Sequence, residues 1–312
     1  MTAILVLNWN GVDDTIACLQ SLARAEGEFS VFVIDNGSTN NSVELIQSWI
    51  DGQDELDASV IALDKNYGFA RGNNEGLLAI RDRKFDSYLL LNNDTEVMPD
   101  FLVRLTEFSA RNPKYRVLTP KINYFFNKNM VWNCGGRCFL GFRKYFYAGQ
   151  TDDVVAKVEK LDITYVTGCA LFFYPELLGT DGRLLTERFF FGEEDFEFSI
   201  RMKQRGVKMA CVMDSLIYHK VNASITNLSN VGKLYNHFLN RYIDVRQKYS
   251  VWSNICWKLL NYPILLYHFF NKTHSWRETF AKSHRLMRDA KVKETVTYED
   301  FRRLVIEGTY FN

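Results

Sequence analysis

The chain has 312 residues, of which 47% are hydrophobic and 24% charged. That supports an ordinary globular core and excludes general disorder; the length suits one large domain with an appendage, or two modest ones. The 38 basic and 37 acidic side chains leave a formal net charge of +1, which excludes the global basic field that grips nucleic acid. Ala3 to Leu7 is a short apolar run ending in the turn cluster Asn8-Trp9-Asn10-Gly11. Asp13, Asp14 and Thr15 can cap a helix whose apolar positions Ile16, Leu19, Leu22 and Ala23 recur at helical spacing. Val31 to Ile34 is a second run, ending at Asp35-Asn36-Gly37-Ser38, and Ser42 opens a helix that turns Leu45, Ile46, Trp49 and Ile50 inward. Ser59 to Leu63 predicts a third strand, then Asn66-Tyr67-Gly68 and a helix from about Ala70 to Arg83. Tyr88 to Leu91 is the fourth, ending at Asn92-Asn93-Asp94. Strand and helix in alternation predict an α/β fold with a mostly parallel sheet covered on both faces.

From residue 117 to 220 the pattern is less regular. Thr164 to Tyr174 predicts a long strand interrupted by Gly168. Phe189 to Asp195 leads into a helix that stops at Arg205-Gly206. Val207 to Val212 and Ser215 to Tyr218 predict strands, and a helical tail begins near Val231. Cys18, Cys134, Cys138, Cys169, Cys211 and Cys256 show only one close pair, so no four-ligand zinc site is predicted and reduced thiols are. The opening MTAILVLNWNG has no basic n-region and too short an apolar run for a signal peptide, so the expectation is a cytoplasmic protein.

Each of the first four strands ends in polar, often Asn- or Gly-containing residues. In open α/β sheets ligands bind at the carboxyl ends of the strands, so Asn8, Asp35, Asn66 and Asp94 would line one rim. Turn chemistry alone also favours these residues. A dinucleotide fold needs a glycine-rich first turn, but this one has a single glycine and nearby acids, and no Walker A pattern exists. Phosphates without such loops need a metal. Asp94, with Thr95 or Glu96, offers hard oxygens for Mg²⁺ or Mn²⁺. The later Glu193-Glu194-Asp195 cluster, between Phe191 and Phe196, offers a carboxylate in a partly apolar setting, where a general base is tuned.

The sequence resembles the inverting glycosyltransferases of family 2, with the GT-A fold. The matching segments are Val6-Leu7-Asn8-Trp9-Asn10, Val33 to Ser38, Asn66 to Ala70 with Asn73-Asn74, Leu90 to Thr95, Val166 to Ala170 and Phe191 to Asp195. Tyr218-His219 and Asn240-Arg241-Tyr242 also fit, and the order holds over about 1 to 250. The likeness is nearest to bacterial rhamnosyltransferase-like members of O-antigen and capsule synthesis.

The resemblance implies a catalytic domain over 1–230, with a nucleotide-binding half (1–115) and an acceptor half (116–230), followed by a helical region over 231–312. It implies a nucleotide-sugar donor, with dTDP-L-rhamnose the best guess, and a glycan acceptor, often linked to polyprenyl diphosphate. Asp35 resembles the acid that contacts the nucleoside base, and Asn8 stands where the first loop touches the nucleotide. Asn66 and Arg71 border the nucleotide and diphosphate. Asn92-Asn93-Asp94 stands where many relatives have Asp-x-Asp, so Asn93 falls on the donor side and Asp94 on the metal. His219 stands near a position that contacts metal or diphosphate in some GT-A enzymes. Asp195 resembles the catalytic base, with Glu194 as the competing candidate; Gly168, with Glu194, belongs to the acceptor side. Asn92 in place of an acid leaves one charge fewer beside the cation. Donors carrying galactose, galactofuranose or N-acetylglucosamine, and a non-catalytic carbohydrate-binding relative, remain open. A nucleotidyltransferase should show a basic glycine-rich N-terminal loop, which is missing.

Residues 251 to 271 are aromatic-rich and largely apolar, but interrupted by Ser253, Asn254, Lys258, Asn261, Pro263 and His268. A membrane-crossing helix of ~20 residues should be cleaner. From 272 to 293 seven basic residues face two acidic ones, a net +5. An aromatic surface beside a basic patch suits anionic lipid, so 251–293 is expected to hold the protein peripherally on the cytoplasmic face of a membrane. The other reading is a packed helical subdomain with a solvated basic face.

Overall fold

The computed structural model describes residues 1–221 and 229–311. Its first part alternates as β1 (Thr2–Asn8), α1 (Val12–Leu22), β2 (Phe29–Asp35), α2 (Ser42–Asp51), β3 (Ala58–Ala62), α3 (Phe69–Ala79) and β4 (Ser87–Asn92). Strands β3, β2, β1 and β4 lie side by side and parallel, with Asn8 level with Asp35. The rim of strand ends is therefore real.

The sheet continues through β5 (Thr95–Val97), then α4 (Phe101–Arg111), β6 (Tyr115–Tyr124) and β7 (Val131–Asn133). A two-stranded hairpin, β8 (Gly136–Phe139) and β9 (Phe142–Tyr145), stands apart from it. After α5 (Asp152–Val155) come β10 (Lys160–Ile163), β11 (Ala170–Phe173), α6 (Glu194–Gln204) and β12 (Lys208–His219). The order across the sheet is β10-β12-β6-β11-β4-β1-β2-β3. Strands β6 and β12 run in the same direction as the first four, and β11 is wedged antiparallel between β4 and β6. The fold is thus α/β and mostly parallel, as expected.

Alternation along β1 explains the two layers. Ala3 and Leu5 join one apolar cluster, which includes Ile34, Leu77 of α3 and Phe198 of α6. Ile4 and Val6 join the other, with Val33, Leu19 of α1 and Leu105 of α4. A strand buried on both faces must be apolar throughout, which is why the sequence shows runs there rather than alternation. Of the strand expected over Thr164–Tyr174 only Ala170–Phe173 forms, as β11, while β10 ends at Ile163 before the expected start. The two strands expected between Val207 and Tyr218 are one, β12, with a register shift between Val212 and Leu216. The helix expected to reach Arg83 stops at Ala79.

The tail forms α7 (Asn230–Lys248), α8 (Val251–Thr273), α9 (Trp276–Val292) and α10 (Tyr298–Phe301), followed by a π-helical turn over Arg302–Ile306. These helices build a third apolar cluster that also takes in Tyr165, Phe196 and Ile200, so the tail is keyed to α6. Helix α8 runs 23 residues, continuing through Pro263. No helix among the described residues is long and apolar enough to cross a membrane.

Candidate active site

Asn8, fully buried at the end of β1, is the hub of the first loop. Its amide donates to Asp35 Oδ2 (2.7 Å) and Ser38 Oγ (3.3 Å). Its oxygen accepts from Gly11 N (3.1 Å), Thr15 Oγ1 (2.9 Å) and Asn93 Nδ2 (3.4 Å). Both ends of the side chain are thus consumed inside the protein, and Asn8 acts as a strut tying β1, β2 and β4 together. Asn93 is spent the same way, donating also to Thr15 Oγ1 at 3.0 Å. What the first loop turns outward is Trp9, about half exposed.

Asp35 holds the second loop through Ser38, whose amide donates to Oδ1 (2.8 Å) and whose hydroxyl donates to Oδ2 (2.7 Å). A carboxylate has about four acceptor positions, so Oδ1 keeps capacity for a further donor. Beside it, Asn36 and Asn66 clamp the third loop. Asn36 donates to Asn66 Oδ1 (3.0 Å) and accepts from Tyr67 N (2.9 Å), while Gly68 N donates to Asn66 Oδ1 (2.8 Å). Gly68 has φ +81°, and a Cβ there would meet the Phe190 carbonyl oxygen at 2.0 Å. Only glycine lets this loop touch the Phe189–Phe191 segment.

Between these loops lies a cleft of about 860 Å³. Its lining includes Trp9, Asp35, Tyr67, Arg71 and Phe190, with Thr295 to Tyr298 on the far side. Arg71 lies over the Tyr67 ring at 4.1 Å and pairs with Glu75 at 3.2 Å. The far wall is a strap from the tail. Phe190 N donates to Val296 O (2.9 Å), Val296 N donates to Arg188 O (2.8 Å), and Tyr298 meets the Phe190 ring edge-on at 5.0 Å. Sequence reading did not find this wall, because its contacts lie more than 100 residues apart in the chain and no local pattern marks them.

The β4 end presents Asp94. His219, the last residue of β12, brings Nε2 to 3.0 Å from Asp94 Oδ1, and its ring meets Trp132 at 4.4 Å. His219 Nδ1 is buried without a partner. One carboxylate and one imidazole thus converge. Among the described residues no group of three or more His, Cys, Asp or Glu forms a closed metal cage. That donor set fits a divalent ion shared with substrate phosphates and water, and not a structural ion.

The acid cluster opens α6. Glu193 is in the left-handed conformation at φ +72°, an observed strain at the site. Its carboxylate is buried and gathers Arg241, His237 Nδ1 (2.8 Å) and Arg143 (3.7 Å). Burial alone would raise its pKa, but those cations hold it well below the usual range. Helix α7 fixes the turn from the other side: Asn236 and Asn240 donate to Phe191 O at 3.0 and 3.1 Å.

Glu194 is buried with Oε2 unpartnered, and burial, then Asp195 and Glu193, push its pKa up to about 8. Asp195 differs. Its side chain is 19% exposed. It accepts from Tyr165 Oη (2.6 Å) and Gly168 N (3.4 Å), and Arg143 lies 3.5 Å away. Gly168 packs on the Phe69 ring, where a Cβ would stand 3.2 Å from it and 3.8 Å from Asp195 Cβ. Asn92 N donates to Cys169 O at 2.9 Å, so this floor joins the Asp94 turn to Asp195. Arg143, on β9, and Tyr165 were not singled out from sequence: they lie in the irregular middle of the chain, without a motif.

The family model described as "Glycosyl transferase family 2" matches residues 3–167. No curated protein sequence matches the chain significantly. Among solved structures, the fold is similar to mannosyltransferase PcManGT from Pyrobaculum calidifontis in complex with GDP-Man and Mn²⁺, at TM-score 0.58 and 12% identity over 94% of this chain and 86% of that one. It is similar to residues 1–349 of TarS from S. aureus, at 0.52 and 15% over 100% and 93%. It is also similar to GalNAc-T7 with UDP, GalNAc and Mn²⁺, at 0.60 and 14% over 98% of this chain and 57% of that one.

Proposed function

The chain belongs to glycosyl transferase family 2, a nucleotide-sugar-dependent glycosyltransferase, and on that premise we propose that it transfers one sugar, with inversion, to a hydroxyl of a glycan acceptor. The observation that supports the mechanism is that Asp35 and the Asp94–His219 pair stand at the ends of parallel strands on either side of β1, with Asp195 joined to the Asp94 turn through Gly168 and Cys169.

The nucleoside enters the cleft between Trp9, Tyr67 and the 295–298 strap, where Asp35 Oδ1 accepts from the base. Asn8, Asn66 and Asn93 hold the loops in register, and Arg71 borders the diphosphate. Asp94 and His219 would hold Mg²⁺ or Mn²⁺; the Mn²⁺ in the PcManGT and GalNAc-T7 structures supports this. A bound ion supplies Lewis-acid stabilisation of the leaving diphosphate. Asp195 accepts the proton of the acceptor hydroxyl as its oxygen bonds to the anomeric carbon. The anomeric carbon–phosphate oxygen bond breaks on the opposite face, and the diphosphate leaves with the electron pair. One displacement inverts the centre. Asp195 suits this role because it is accessible, whereas Glu194 is buried and holds its own proton near neutrality.

The donor we propose is dTDP-L-rhamnose, supported by the Asn92-Asn93-Asp94-Thr95 form. The acceptor is a glycan linked to polyprenyl diphosphate in bacterial surface-polysaccharide synthesis, with the protein peripheral on the cytoplasmic face. The test is a thermal-shift screen of dTDP-rhamnose, UDP-galactose, UDP-galactofuranose and UDP-N-acetylglucosamine with Mg²⁺ or Mn²⁺, followed by transfer. Stabilisation by dTDP-rhamnose and a product of inverted anomeric configuration support the reading. Preference for a UDP-sugar reassigns the donor; a retained configuration overturns the mechanism.

A further inference from the structure

Helix α8 is apolar on two opposite sides. One side buries Trp257, Leu265 and Phe269 in the tail core. The other leaves Trp252 78%, Leu259 71%, Tyr267 63% and Leu260 60% exposed, with Ile255 and Ile264 beside them. A face of large apolar side chains in water on a well-packed helix marks an interaction surface. Two neighbours extend it. Trp276 and Phe280 at the start of α9 are exposed and stack in a ladder with Phe270, with centroids 4.4 and 5.7 Å apart. At the tip of the β8–β9 hairpin Phe139 and Leu140 are exposed, and the adjoining Gly141 lies against Trp257.

The charge carried by α8 and α9 decides what covers this face. Among the described residues, Lys258, Lys272, Arg277 and Lys291 have no carboxylate within ion-pair distance, whereas Lys282, Arg285, Arg288 and Lys293 do. Lys258 has Arg246 and Lys291 as its electrostatic neighbours. A twofold interface with a second copy brings the same patch onto itself, and would set these cations against each other. A bilayer surface with anionic headgroups satisfies both the apolar face and the cations of α8 and α9 that have no carboxylate at hand.

We infer that the outer face of α8, with Trp276 and Phe280 of α9 and the Phe139–Leu140 tip, docks in the plane of an anionic lipid bilayer. The hairpin ties that surface to the chemistry: its tip carries Phe139 and Leu140, and its second strand carries Arg143 beside Asp195. An acceptor anchored in lipid would then present its glycan to the catalytic acid along one structural element. That last step rests on the lipid-linked acceptor proposed above; the docking itself does not.

The experiment is co-sedimentation of the full chain with vesicles of phosphatidylcholine alone or mixed with phosphatidylglycerol, without donor or acceptor. Binding should require phosphatidylglycerol and fall with salt. A quadruple variant, K258Q/K272Q/R277Q/K291Q, should bind at least about tenfold more weakly. A second variant, W252S/L259S/L260S/Y267S, should lose binding while keeping its thermal melt and its affinity for soluble nucleotide sugar, since every changed side chain is exposed. No vesicle binding by the unaltered chain overturns the inference, as does salt-insensitive binding to both vesicle types. A dimer in solution that the second variant dissolves overturns it in favour of self-association. Docking that holds while no lipid-linked glycan is used leaves the surface standing and removes the acceptor reading. Transfer to a soluble acceptor with no vesicle binding does the reverse.

Discussion

Asp195→Asn separates chemistry from binding and folding. The asparagine keeps an oxygen for the Tyr165 hydroxyl, now 2.6 Å from Asp195, and loses the charge that faces Arg143 at 3.5 Å. Arg143 is not orphaned, because Glu193 remains 3.7 Å away and Tyr165 Oη accepts from it at 3.3 Å. The stability cost should therefore stay near that of a partly exposed pair, about 1 kcal/mol, against a total of roughly 5–15 kcal/mol. Removing a positioned base costs ~10²–10⁴ in rate, equivalent to about 3–5 kcal/mol in the barrier. The assay is donor affinity by calorimetry beside initial transfer rates at pH 7, with Glu194→Gln in parallel. Glu194, with its pKa pushed up to about 8, carries its proton at that pH, and glutamine mimics the neutral acid. Expected are normal donor affinity for both variants, a transfer rate for Glu194→Gln within a few-fold of the unaltered enzyme, and the large loss for Asp195→Asn alone. If Asp195→Asn transfers at the unaltered rate, the assignment is wrong; if Glu194→Gln alone is dead, its neighbour is the base.

Asp94→Ala should abolish the tightening of nucleotide-sugar binding by Mn²⁺, and EDTA should reproduce that loss in the unaltered chain; full turnover by the variant in EDTA would sink the metal assignment. Glu194 also predicts a pH dependence of stability. Its folded pKa lies above the usual carboxyl value, so its contribution is complete below about pH 4.5 and is lost as pH rises through about 8, at up to ~1.4 kcal/mol per pH unit. Unfolding curves across that range should favour Glu194→Gln increasingly as pH rises, and a constant difference would contradict the burial argument. Gly68→Ala combines a positive φ with a Cβ 2.0 Å from the Phe190 oxygen, and should cost about 2 kcal/mol or more; an unchanged melting temperature would refute the close approach. Tyr298→Ala, at an exposed position in the strap, should weaken nucleotide binding by roughly 2–10-fold with little effect on the melt, whereas unchanged affinity would mean that the strap does not wall the donor cleft.

The rim of the site was legible in the sequence because parallel strands advertise themselves. Buried on both faces, β1, β2 and β4 must be apolar runs, and where each run stops the chain must turn. Asn8, Asp35 and Asp94 therefore stand at strand ends that local pattern marks. The Glu193-Glu194-Asp195 cluster was also visible, but not the division of labour within it. Adjacent residues at a helix start leave in different directions, and only packing decides that Glu194 is buried without a partner while Asp195 reaches Tyr165 and the floor at Gly168. The sequence placed Asn8 on the rim and the resemblance placed Asn93 on the donor side, and only the fold shows that their hydrogen bonds make them struts between the loops. Arg143, His237 and the 295–298 strap escaped sequence reading for one physical reason. Their partners lie tens to hundreds of residues away, joined by salt bridges, a hairpin and a single backbone bridge, and none of these imposes a period or spacing on the chain. The tail's composition could equally describe a packed subdomain or a lipid surface; the fold makes α8 both, burying one face in the core and leaving the other to water.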